Sequence, residues 1–125
     1  MSDDAKEPCY CAAHGCPLLG VFGHGKGEWW CFLHFEKDAS KRQAITTEIN
    51  RRQWLADAIA DLRRAYGGDE WAKTCHAVQH EFAMQQRNDL KANGERAWQW
   101  IRRLENELSS MVTETMRQSQ ERFAA

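Results

Sequence analysis

The sequence predicts a mainly α-helical chain that opens with a small β-hairpin module and continues as a three-helix arrangement. Three observations lead there. Four of the five cysteines and three of the five histidines fall within residues 9–34. A glycine-rich run, GHGKG at 23–27, separates the short apolar stretches LLGVF and EWWCF, the pattern of two strands joined by a loose turn. Beyond residue 46, apolar side chains recur at intervals of three and four, in blocks separated by glycine-bearing breaks.

The polar, acidic opening MSDDAKEP, residues 1–8, reads as a disordered tail. Residues 9–38 carry few aliphatic side chains, so packing alone does not hold them, and a bound metal would supply what the core lacks. Cys9, Cys11, His14, Cys16, His24, Cys31 and His34 all offer a donor atom, whereas a structural zinc takes four. Cys31 and His34 have two residues between them, which places both on one face of a first helical turn. Cys11 and Cys16 have four between them, at the outer edge of knuckle spacing, and Gly15 and Pro17 suit a tight knuckle. A ligand pair on a turn, a hairpin, then a second pair at a helix start is treble-clef order. The expected module is therefore zinc-binding and treble-clef-like, over 9–38, with Cys11, Cys16, Cys31 and His34 around a structural Zn2+. Cys9 and His14 stand as alternative ligands to Cys11, and His24 falls on the loop tip.

The helical region spans 39–125, with EKDASKRQ as a linker-like entry. Thr46 or Thr47 can cap a first helix over about 47–66, striped by Leu55, Ile59, Leu62 and Tyr66 and stopped by Gly67–Gly68. Asp69 can cap a second over about 70–91, striped by Trp71, Cys75, Val78 and Phe82 and broken by KANGE. A third over about 95–120 carries Ala97, Ile101, Leu104, Leu108 and Met111 on one face. Part of this stripe has coiled-coil spacing, which permits a homodimer without demanding one.

The formal net charge of −1 is unevenly spread: residues 1–38 carry six acidic and three basic side chains, and residues 39–66 the reverse. Nucleic-acid contact would therefore need a local patch. Arg51, Arg52, Arg63 and Arg64 on the first helix, with Arg102 and Arg103 on the third, offer one; their alternative role is a solvated surface with helical charge pairs. Six tryptophans exceed what so small a core uses. Trp29 and Trp30 alternate on a strand, and Trp98 and Trp100 diverge on a helix, so at least two are partly exposed. Trp30, Trp98 and Trp100 are accordingly candidates, with the arginines, for contact with a partner or a nucleic acid.

Deaminase chemistry lacks its H-x-E and P-C-x-x-C elements, and H-E-x-x-H is absent too. A nuclease built on a ββα metal core would need an Asn on the helix after the hairpin, and CFLHFEKDAS has none. Cys75, His76 and His80 in CHAVQH have helical metal spacing but no evident fourth ligand. No apolar run is long enough for a signal peptide or a membrane span, and clustered Cys and His without a disulfide framework points to a cytoplasmic protein.

Cys11, Gly15-Cys16-Pro17, Trp30-Cys31, His34-Phe35, Ala39-Ser40 and Ala44-Ile45-Thr46 together give a pattern that resembles small zinc-module proteins encoded by bacteriophages and prophages of proteobacteria, often near replication or recombination genes. The resemblance covers residues 11 to about 66. It implies a bacterial cytoplasm and a non-enzymatic accessory role. The leading expectation is an adaptor that binds a host or phage protein of the replication, recombination or transcription machinery. The alternative is a nucleic-acid binder using the Arg51–Arg64 face and the zinc hairpin, and after it a metal-dependent nuclease.

Overall fold

The structure, a computed structural model, describes residues 10–13, 15–20, 22–23, 29–35, 37 and 39–124, with the backbone alone at residue 39 and over 120–124. Residues 1–8 (read as a tail), Cys9, His14, and residues 24–28 with His24 lie outside the described residues. The N-terminal part is a small antiparallel layer. Strand β1, Phe22–Gly23, pairs with β2, Trp29–Trp30, so that Phe22 faces Trp30 and Gly23 faces Trp29. Upstream, Tyr10 bridges Leu19, the Cys11 amide donates to the Leu18 carbonyl at 2.9 Å, and the Ala12 amide donates to the Trp29 carbonyl at 2.8 Å. The three segments approach so closely that a Cβ on Gly20 would stand 2.6 Å from the Trp29 Cβ. Only glycine fits there.

Among the described residues the rest is helical: α1 Ala39–Asn50, α2 Gln53–Ala65, α3 Trp71–Met84 and α4 Ala97–Ala124, with a 3-10 turn at Asn88–Leu90. The three-helix expectation gives way to four, because the first helix is two. Ile49 and Leu55 are both fully buried, yet six residues apart they would stand about 120° apart around one continuous helix. A break rephases the stripe. Arg52 leaves helical geometry at φ −118°, ψ 44°, and its carbonyl accepts from Leu55 and Ala56 to start α2. Its guanidinium fixes the joint, donating to the Glu48 carbonyl at 2.9 Å and to Thr115 Oγ1 on α4 at 2.7 Å.

Other boundaries move for local reasons. Helix α1 starts at Ala39, inside the stretch read as a linker, so Thr46 and Thr47 lie within it and cap nothing. Thr47 donates back to the Gln43 carbonyl at 3.0 Å, which a helix interior tolerates. The residue before α3 is Glu70, not Asp69, and it makes no side-chain capping bond. Helix α3 ends at Met84, short of Lys91. Gln86 takes a left-handed φ of 59°, with its amide bonded to the Ala83 carbonyl and the Arg87 amide to that of Phe82. This is a Schellman ending whose glycine position holds a glutamine. Helix α4 runs past 120, to Ala124.

The core is continuous from the cysteine segment to Val112. Helix α2 lies against both α3 and α4, and α1 packs on α4. Trp100 is buried and donates its indole N–H to the Leu90 carbonyl at 2.8 Å, while Trp71 packs edge-on against it at 6.4 Å. Of the stripe with coiled-coil spacing, Ile101, Leu104 and Leu108 are buried inside this chain's own core and Met111 packs half-buried against it.

Because left-handed geometry is unfavourable for any residue with a Cβ, Gln86→Gly is expected to stabilise the protein by about 0.5–1 kcal/mol. Thermal or urea unfolding reads this directly; a loss of stability would mean that the Gln86 side chain contributes more than its backbone costs.

Candidate metal centre

Local backbone geometry delivers the four donors. The Cys16 amide bonds the Ala13 carbonyl at 3.1 Å, and Gly15 takes a φ of +79°, so the chain turns sharply between Cys11 and Cys16. Cys31 follows β2 directly, and its carbonyl accepts from the amides of His34 and Phe35 at 3.2 and 3.0 Å. This helical turn swings His34 back toward Cys31.

Cys11, Cys16, Cys31 and His34 are all buried, and their donor atoms lie within 4.8 Å of one another. Cys16 Sγ is 3.9 Å from Cys31 Sγ, and His34 Nδ1 is 3.3 Å from Cys31 Sγ and 3.5 Å from Cys11 Sγ. Ligands of a tetrahedral ion with metal–sulfur bonds of about 2.3 Å and metal–nitrogen bonds of about 2.0 Å stand roughly 3.5–3.8 Å apart. The donor set is thus compatible with a metal site. It is the set expected from the ligand spacing. Among the described residues, Cys75, His76 and His80 do not form a second one: Cys75 packs half-buried against the core, and both histidines are exposed.

The remaining polar atoms of the site are also engaged. His34 Nε2 lies 3.0 Å from Thr46 Oγ1 and 3.2 Å from the Arg42 carbonyl. With Nδ1 turned to the sulfurs, Nε2 carries the proton and donates it to α1, which fixes tautomer and ring plane. The Arg42 guanidinium stacks 4.4 Å from the centre of the Trp30 ring. Asn50 donates to the Gly15 carbonyl at 3.4 Å, tying the first knuckle to the same helix.

The electrostatics of the bare donors are in conflict. Hydrogen bonds from Cys16 and Cys31 hold the Cys11 thiol far below its ordinary range. The bonds Cys31 makes to Cys11 and Cys16, together with burial, push its own thiol far up. Burial pulls His34 down, but hydrogen bonds to Cys11, Cys16 and the Arg42 carbonyl outweigh it and raise His34 to about 9. One anion is comfortable in this space and further ones are not. A dication removes the conflict by taking the places of the protons.

The arginines and tryptophans are placed differently from the expectation of one binding face. Trp30 and Trp100 are buried, so neither is available to a partner; the exposed members of the two pairs are Trp29 and Trp98. Arg52 is fixed as described above. Arg63 is paired with the buried carboxylate of Glu105, and Arg64 with Asp61 and the Tyr10 hydroxyl. Arg103 bonds Glu95 and the carbonyls of Asp89 and Lys91, clamping the connection into α4. Arg51 and Arg102 are exposed, and Arg51 lies 3.7 Å from Glu48. What the sequence reading missed is Tyr66. Read as a stripe residue, it is 51% exposed, because α2 has already ended at Ala65 and helical periodicity no longer applies to it. It joins Trp98, Ile101, Arg63 and Arg102 in lining a groove of about 240 Å³.

The chain matches no known family model, no curated protein and no solved structure. Among the described residues, no helix is long and apolar enough to cross a membrane.

Two expectations follow from the site. Protons on Cys31 and His34 compete with the metal, so affinity should rise with pH between pH 6 and 8, by at least about two decades per unit. Chelator competition across that window measures it, and a flat profile would mean these two groups are not ligands. Thr46→Val, which removes the His34 contact while keeping side-chain size, should weaken metal binding about 10–100-fold.

Proposed function

We propose that this protein is a non-enzymatic adaptor in which a structural zinc ion holds a treble-clef-like module onto a helical body that binds another protein. The observation that carries the reading is the groove at Tyr66 and Trp98. Two large aromatic side chains about half exposed, beside Ile101 and two arginines, form the kind of mixed aromatic surface that protein interfaces use. Zinc suits three thiolates and an imidazole in a tetrahedron. The treble-clef reading is supported by the order of the parts: the turn between Cys11 and Cys16, the pairing of β1 with β2, then Cys31 and His34 on a helical turn. With four protein ligands and near-complete burial there is no room for a substrate, which supports a structural role for the ion.

The likeness of the Cys11–Thr46 pattern to phage-encoded zinc modules extends the proposal to a bacterial cytoplasm and to replication, recombination or transcription machinery as the partner class. Nucleic acid is the second reading, favoured by Arg102 beside Trp98 and Tyr66, where a base could stack and a phosphate pair. It is weakened by Arg52, Arg63, Arg64 and Arg103, each of which is already bonded to a partner within the chain. A nuclease using His34 has little support, since both ring nitrogens are engaged and the side chain is buried.

The test is affinity capture from nuclease-treated bacterial lysate with the wild-type protein and Trp98→Ala in parallel. A protein retained by the wild type and reduced about tenfold by the substitution is the expected result. Identical retention would remove the Tyr66–Trp98 face. Retention lost on nuclease treatment would select the nucleic-acid reading, and binding to DNA should then fall with salt at about −0.9 in log–log slope per neutralised phosphate.

A further inference from the structure

A second surface, chemically unlike the first, lies between α2 and α3. It is an open groove of about 780 Å³. Its floor is made of small and apolar groups, among them Ala58, Ala77 and Val78, with Trp54 at one end packed edge-on against Phe82. Helix α3 buries only Val78 and Phe82 completely and leaves Ala77 and Lys73 exposed, so its outward side is unpartnered. Alanines at these positions allow another helix backbone to come close.

The charges of the rim are lopsided. Asp61 is paired with Arg64, and Glu70 has Lys73 at 3.9 Å. Among the described residues, no cation forms an ion pair with Asp57 on α2 or Glu81 on α3. Their hydrogen bonds come from neutral amides of their own helices, Gln53 to Asp57 at 2.7 Å and Gln85 to Glu81 at 2.8 Å. Two carboxylates, one on each wall, thus stand beside an apolar floor with no cationic partner among the described residues. An anionic ligand would be repelled, and a purely apolar one would leave them without a counter-charge.

We propose that this groove docks a basic amphipathic helix of a partner protein. The apolar ridge of such a helix, repeating at three and four residues, lies over Ala58 and Ala77, and flanking lysines or arginines reach Asp57 and Glu81. The proposal rests on the adaptor reading but not on the Tyr66–Trp98 face. An adaptor with two unlike surfaces could hold two proteins at once.

The probe is a fluorescein-labelled helical peptide of about five turns, with a leucine–alanine ridge flanked by lysines, titrated by anisotropy into the zinc-loaded protein. The controls are a scrambled peptide of the same composition and one with glutamate in place of lysine. Binding should be at least about tenfold weaker for the scrambled peptide and absent for the glutamate peptide. Asp57→Asn combined with Glu81→Gln should weaken it about tenfold or more, while Ala77→Trp, which fills the floor, should abolish it. Asp57 and Ala77 are exposed and Glu81 is half-buried, and unchanged circular dichroism and melting would show that the fold is retained. Equal binding of the scrambled peptide, or wild-type affinity in both variants, would overturn the proposal. So would a dimer of the protein alone that the Asp57/Glu81 substitutions dissociate, which would give the groove to a second copy. Trp98→Ala should bind the peptide normally, so loss of the aromatic face and loss of this groove register separately.

Discussion

Three sulfurs and an imidazole nitrogen share a space too small and too dry for the charges they would carry on their own. The described segments N-terminal to α1 converge on that space. The segment around Tyr10 to Leu19, the paired strands β1 and β2 and the turn from Cys31 to Phe35 make few regular hydrogen bonds, and none is long enough to persist alone. They are held where they are because Cys11, Cys16, Cys31 and His34 converge from three directions on one point. A tetrahedral cation bound there would turn this crowding into bonding, and its binding free energy would become folding free energy for the segment.

Helix α1 connects this centre to the rest. Its inner side gives Thr46 and the Arg42 carbonyl to His34, and Ile45 and Ile49 to the core. Its end is anchored through Arg52 to Thr115 on α4. A side chain at either end of α1 therefore touches a different layer of the protein. This also explains the break at Arg51–Arg52: a single continuous helix could not present Ile49 and Leu55 to the same core while keeping Thr46 on His34.

The cluster of Cys11, Cys16, Cys31 and His34 was legible in the sequence because metal-compatible donor sets leave a spacing signature that survives without neighbours: two residues between Cys31 and His34, a glycine and a proline around Cys16. The stop at Gly67–Gly68 was legible for a similar reason, since glycine acts locally. What escaped the sequence depends on partners far away in the chain. The end of α3 falls on Gln86, which has no intrinsic left-handed preference and is held there by the connection that leads to Leu90 and Trp100. The break after Asn50 contains neither glycine nor proline and shows only as a phase slip in the apolar stripe. Thr46 looked like a cap because its hydroxyl was assumed to serve its own backbone, when it serves His34.

The arginines illustrate the same limit in the opposite direction. In sequence, Arg51–Arg52, Arg63–Arg64 and Arg102–Arg103 look alike, three pairs on helices with room for a polyanion. In the fold, one or both members of each pair stabilise the chain itself. Arg63 neutralises Glu105, a carboxylate 5% exposed, and removing it would leave an unpaired charge in the core at a cost of about 3–5 kcal/mol. Arg103 satisfies carbonyls of the 3-10 turn that α4 leaves behind. The positive charge that helical periodicity seems to display outward is largely matched within the chain, whereas Asp57 and Glu81 have no cationic partner among the described residues. A protein that looked from its sequence like a candidate for nucleic acid thus carries, on the groove between α2 and α3, carboxylates suited to a cationic partner.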